Sequence, residues 1–221
     1  MWGGKAMTTN IKILDLRFSW IFGFVLNPFD LRDLVDSFSK RGYTTPLEEL
    51  PPVPFSGRLG GAGIIARKNG FEIYADTGRQ IIGIKGVASF NEFNPIIQEL
   101  RRILKEDFDI EISQNLRYCE VLARYRIGKE NAIDEIRKVS IKNVPELKNL
   151  IGEYSLVGFR IGSRNTLPTQ SNWFDIEVHP TWANPNKFFD VVIVYRNDSE
   201  DNVFTVAKNL EKVVLHVLEI I

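Results

Sequence analysis

The sequence predicts an α+β protein made of two tandem repeats, each running strand, helix, strand, strand, strand, helix. Three observations carry this. In the stretch Leu59 to Lys105, two tight turns divide three short apolar runs, and a helical pattern follows. The segment Asp15-Leu16-Arg17-Phe18 is echoed one hundred residues later by Asn115-Leu116-Arg117-Tyr118. The chain then closes on a long amphipathic run, with Val203, Val206, Ala207, Leu210, Val213, Val214, Val217, Leu218 and Ile221 at helical spacing. The expected layout is a disordered leader over 1–10, a first repeat over 11–108 and a second over 109–221, in one compact body.

The first repeat opens on a strand from Ile11 to Leu26. Leu14, Leu16, Phe18, Trp20, Phe22 and Phe24 occupy every second position and define one apolar face. Asn27-Pro28-Phe29-Asp30 has the chemistry of a helix start, and Leu31, Leu34, Val35 and Phe38 form the buried stripe up to Gly42. Thr45 to Gly61 is rich in proline and glycine and reads as an irregular connection with one helical turn at Leu47 to Leu50. Asn69-Gly70 then joins two strands, since this dipeptide supplies the positive φ that a two-residue hairpin loop needs. Asp76-Thr77-Gly78-Arg79 makes the next turn, with Gly78 in the strained position. Phe93, Ile97, Leu100 and Leu104 give the following helix, with Asn94 as its cap and Pro95 in its first turn.

The second repeat follows the same order. A strand from Ile112 to Ile127 feeds a helix with Ile133, Ile136 and Val139 inward, and a short helix is expected within Asn143 to Gly152. Leu156 to Ile161, Trp173 to His179 and Phe188 to Tyr195 read as three strands before the terminal helix.

Composition narrows the function. With 221 residues, 44% hydrophobic and 25% charged, the chain can bury a substantial core. Its 28 basic and 28 acidic side chains cancel, so no global positive field draws it to nucleic acid or anionic lipid. A single cysteine, Cys119, excludes an intramolecular disulfide and a multi-thiolate zinc site, and a cytoplasmic location is expected. The apolar runs are strand-length, so no membrane span is expected, and the first ten residues lack the apolar run of a secretory signal. No cofactor is expected. Gly60-Gly61-Ala62-Gly63 opens a strand rather than a helix, which argues against a phosphate loop.

The order of elements resembles that of the TATA-box-binding protein family, whose two pseudo-repeats form a curved antiparallel sheet with helices on one side. Gly63-Ile64-Ile65-Ala66-Arg67 is similar to a strand of that family, and Thr77-Gly78-Arg79-Gln80-Ile81-Ile82 to its turn and following strand. The resemblance implies an open concave face. It stops short of the family's DNA chemistry, because Lys68-Asn69-Gly70 stands where apolar wedges would kink a duplex, and the loop Asn165 to Asn172 carries only Leu167 and Pro168.

Strand parity then selects candidate site residues. With Phe71, Ile73 and Ala75 under the helices, Glu72, Tyr74 and Asp76 face outward; with Phe174, Ile176 and Val178 inward, Trp173, Asp175, Glu177 and His179 face outward. Arg17, Arg67, Lys85, Arg117 and Arg160 are expected to share that face with apolar Ile21, Ile65, Val192 and Val194. Mixed charge around aromatic anchors suits a protein partner or a homodimer, with Tyr74 and Trp173 as anchors and Arg17, Arg67, Arg117 and Arg160 around them. Solvated pairing of these arginines with neighbouring carboxylates is the plainer expectation. Three alternatives remain: a nucleic-acid binder without strong kinking, a metal-dependent hydrolase using Asp175, Glu177 and His179, which alternate on one strand face, and a purely structural subunit. Cys119 and His216 are expected to be ordinary core and surface residues.

Overall fold

Alternating apolar residues build the centre of the sheet. A computed structural model of the chain describes residues 10–23, 31–45, 62–139 and 158–220. The strands are β1 (Asn10–Phe22), β2 (Ala62–Lys68), β3 (Phe71–Asp76), β4 (Ile81–Gly86), β5 (Leu116–Gly128), β6 (Phe159–Gly162), β7 (Trp173–Pro180) and β8 (Phe188–Asn197). They form one eight-stranded sheet in the order β2-β3-β4-β1-β5-β8-β7-β6, with every neighbouring pair antiparallel. Leu16, Phe18, Trp20 and Phe22 of β1 and Cys119, Val121, Ala123 and Ile127 of β5 are fully buried on one side.

The helices are α1 (Leu31–Lys40), α2 (Phe90–Phe108), α3 (Ile112–Asn115), α4 (Ala132–Val139), α5 (Glu200–Lys208) and α6 (Leu210–Leu218). Leu34, Val35 and Phe38 of α1, the stripe from Phe90 to Leu104 of α2, Ile136 of α4, and Val203, Leu210, Val214 and Val217 of α5 and α6 join the sheet's inward side chains in one apolar cluster. All described helices therefore share one side of the sheet. Trp20 donates its indole N–H to Glu200 at 2.7 Å, and Arg101 bonds the other carboxylate oxygen at 2.5 Å, tying β1, α2 and α5 together.

Asn69 and Gly70 both take positive φ, as a two-residue hairpin between β2 and β3 requires. Other expectations need correction. In the next turn the left-handed residue is Gln80, not Gly78, and Asp76 accepts a 2.9 Å bond from the Arg79 amide to hold the bend. Helix α2 starts at Phe90 because Ser89 and Glu92 form a capping box, with the Ser89 amide donating to the Glu92 carboxylate at 2.8 Å; Pro95 thus falls inside the helix. The terminal apolar run is two helices that break at Asn209, whose side-chain amide donates to the Thr205 carbonyl at 2.8 Å. Such local bonding competes with continued helix.

Strand β5 begins four residues later than expected, after the α3 turn. A register shift between Ile21 and Phe22 then leaves Arg117 as an extra residue, so Tyr118 lies opposite Ile21 while Leu116 lies opposite Phe22. Leu116 packs against the core like Leu16, but Tyr118 faces the other way from Phe18. The expected equivalence of Phe18 and Tyr118 therefore fails. Leu14 is likewise displaced by a shift between Ile13 and Asp15, and Ile65 is fully buried beside the β2 shift rather than on the open face. The Asn27-Pro28 helix start, the proline-rich connection with its turn at Leu47 to Leu50, Gly60 and Gly61, the helix within Asn143 to Gly152, and Leu156 lie outside the described residues.

Candidate functional site

The side of the sheet away from the helices is laced by cross-strand charge. Glu72 accepts from Arg67 at 3.0 Å and pairs with Lys85 at 2.8 Å, linking β2, β3 and β4. Hydrogen bonding from Lys85, then Arg67, holds the Glu72 carboxyl below its usual range against the opposing effect of burial. On the other half, Asp190 of β8 is only 1% exposed and bonds Arg124 and Arg126 of β5 at 2.5 and 3.0 Å. Arg160 of β6 bonds Asp175 and stands 3.7 Å from Glu177, both on β7. The plainer expectation of pairing with neighbouring carboxylates thus describes Arg67 and Arg160 well.

Between these ladders lies a depression of about 670 Å³ over β1, β4 and β5, reaching Arg196 of β8. Its floor holds Ser19, Ile21, Ile81 and Leu122, and its rim holds Arg17, Arg79, Arg117 and Arg196. Tyr74 forms one wall. Its ring lies across Gly83, where a Cβ would stand 2.6 Å from the ring and from the Phe18 carbonyl oxygen, and its hydroxyl bonds Ser19 Oγ at 2.5 Å. The opposite wall is a stack: the Arg196 guanidinium sits 4.6 Å from the Tyr118 ring and 5.4 Å from the Trp173 ring. Arg196 also donates to Glu120 at 2.5 and 3.0 Å and to the Pro168 carbonyl at 2.5 Å, which ties the loop after β6 to the sheet.

The structure thus places Tyr74, Arg17 and Arg117 around one depression and Trp173 in the stack behind it. Arg67 and Arg160 lie nearer opposite edges, in the two outer ladders. Tyr74 is laid flat on the sheet instead of projecting from it. Asp175, Glu177 and His179 do share a face, but Arg160 engages both carboxylates and His179 Nδ1 stands 3.2 Å from the Pro180 carbonyl oxygen. Among the described residues no group of three or more histidine, cysteine, aspartate or glutamate side chains is arranged to hold a metal ion. Cys119 is fully buried, and burial followed by the charge of Glu200 pushes its thiol far upward, away from reactivity. His216 is exposed on α6, 3.2 Å from Glu219.

Sequence reasoning did not single out Tyr118, Glu120, Arg196, Arg79 or Trp182 as site residues. Tyr118 reaches this face through the register of β5 against β1 at the bulge of Arg117, and Glu120 and Arg196 meet only through the register of β5 against β8. Arg79 was visible as a turn residue, but its neighbours across the sheet were not. Trp182, in the loop between β7 and β8, is 94% exposed, and its only sequence signal is a large aromatic within a turn-rich segment.

Compared with protein-family models and with curated proteins, the chain matches none. No helix among the described residues is long and apolar enough to cross a membrane.

Proposed function

We propose that this chain is a non-enzymatic binding module of duplicated, TATA-box-binding-protein-like architecture, and that its open sheet face receives a protein partner or a second copy of itself. The observation that carries this reading is the one-sided arrangement of an eight-stranded sheet. All described helices pack on one side, and the other side presents mixed charge, two aromatic walls and the apolar Val192 and Val194. The duplication draws support from the strand order, in which β2-β3-β4-β1 read from one edge corresponds to β6-β7-β8-β5 read from the other. Aromatic side chains on rigid strands lose little entropy on binding, and interface energy concentrates in such residues. The hydrolase alternative gains nothing from Asp175, Glu177 and His179, since both carboxylates are engaged by Arg160.

Light scattering and capture on immobilised protein test the reading with Leu122→Glu and Trp173→Ala. Both are expected to reduce self-association or capture while the fold survives. Association untouched by both substitutions argues that the open face is not the working surface. Nanomolar, salt-steep affinity for duplex DNA would favour the nucleic-acid alternative.

A further inference from the structure

Four arginines and one glutamate line the central depression among its described residues. The glutamate, Glu120, is engaged by Arg196, and Arg196 is itself held between two rings, so this pair is part of the wall. Three guanidinium groups remain. Arg17 meets Asp15 through Nε at 2.7 Å, and Arg79, 81% exposed, approaches Asp76 through Nε at 3.6 Å. Arg117 has no carboxylate partner among the described residues; its one neighbour of note is the Tyr118 ring at 5.8 Å. The terminal nitrogens of all three are therefore left for another acceptor. Arg124 and Arg196, by contrast, each engage a carboxylate through Nε and a terminal nitrogen together, Arg124 on Asp190 and Arg196 on Glu120.

We propose that the depression binds a small organic phosphate of mononucleotide size. The volume falls within the roughly 300–1,000 Å³ typical of small-ligand sites. Guanidinium forks match phosphate oxygens in paired geometry, and three forks around one depression exceed what a single carboxylate can use. The floor of Ile21, Ile81 and Leu122 offers an apolar bed for a ring or sugar between the charges. Arg17 and Ile21 are four residues apart on β1, about 13 Å along the strand, so the ligand can be extended. A nucleic-acid strand crossing the sheet through the depression is the poorer fit, because it passes over the carboxylate of Glu72 on β3 and those of Asp175 and Glu177 on β7. The proposal rests on the reading that this face is a binding surface, but it requires no protein partner.

Calorimetric titration of the full chain with AMP and ADP, and with citrate as a polycarboxylate, provides the test. Saturable binding of the nucleotides is expected, weakened tenfold or more in Arg117→Gln and in Arg79→Gln and unchanged in Arg160→Gln. Arg79 is exposed at a turn, so its variant keeps the fold, and thermal melting checks this for all three. The proposal is overturned if neither nucleotide binds at about 1 mM, where a site worth only about −4 kcal/mol is half filled. It is also overturned if citrate binds more tightly, or if Arg160→Gln weakens binding as much as Arg117→Gln. Nucleotide failing to bind while self-association or capture still responds to Trp173→Ala removes the ligand and leaves the docking face standing.

Discussion

Gly83 and Asp190 show how single residues organise the open face. Because Tyr74 lies across Gly83, the glycine is required there by close approach, and a methyl group would press on both a ring and a backbone carbonyl. Gly83→Ala is expected to lower stability by about 1–3 kcal/mol through overpacking, and Tyr74→Phe by about 1 kcal/mol through loss of the Ser19 bond; urea unfolding measures both. At Asp190, burial raises the carboxyl pKa, but hydrogen bonds from Arg126 and Arg124 prevail and hold it below its ordinary 3.8. A carboxylate depressed in the folded state contributes stability above its unfolded value, and that contribution disappears as pH falls through the folded one. Replacing both Arg124 and Arg126 by glutamine leaves a buried charge unpaired, at an expected cost of about 3–5 kcal/mol at neutral pH. In that double variant only burial remains, so the sign reverses and acidification recovers stability. A stability profile from neutral pH into acid that shows the same slope for both proteins contradicts this account.

At the scale of elements, caps and local bonds decide where helices begin and end. Ser89 and Glu92 start α2 five residues ahead of the point suggested by Asn94 and Pro95, because a capping box satisfies amides that would otherwise be orphaned. Ser89→Ala is expected to cost about 1 kcal/mol, read as a lowered melting temperature with unchanged helix content. Helices α1 and α2 are joined where Arg41 donates to both carboxylate oxygens of Asp107, at 2.5 and 2.7 Å, while Ser37 donates to one of them. The Arg41 bond is the main reason the Asp107 carboxyl lies below its usual range. Asp107→Asn should therefore loosen α1, seen as faster amide exchange in α1 than in α5.

For the whole molecule, the sheet separates two tasks: one side holds the helices, the other is free of them among the described residues. Trp173 and Trp182 differ in how they stand to that division. Trp173 stacks on Arg196 within the open face, whereas Trp182 extends from a loop at 94% exposure. Trp182→Ala is expected to change stability by less than about 0.5 kcal/mol, since almost no contact is lost. Any effect it has on association would then report binding alone. Trp173→Ala should cost modest stability through the lost stack and should weaken association more strongly. Differential scanning calorimetry beside light scattering separates the two contributions.

The sequence by itself determined the α+β class, most of the strands, the Asn69-Gly70 hairpin, and the facing of β3 and β7, because turn chemistry and period-two alternation are local properties of the chain. It also placed Arg17, Arg117 and Trp173 on the open side correctly. Tertiary structure alone decided what those residues meet. The depression depends on a bulge at Arg117 and on the register of β1, β5 and β8, and a one-residue shift moves a side chain to the opposite face. Tyr118 therefore left the core position its echo with Phe18 suggested and became half of a wall, and Arg196 and Glu120 met across strands that are 76 residues apart in the chain. Such pairings carry no local signal, since they arise from how distant strands align rather than from what either strand contains.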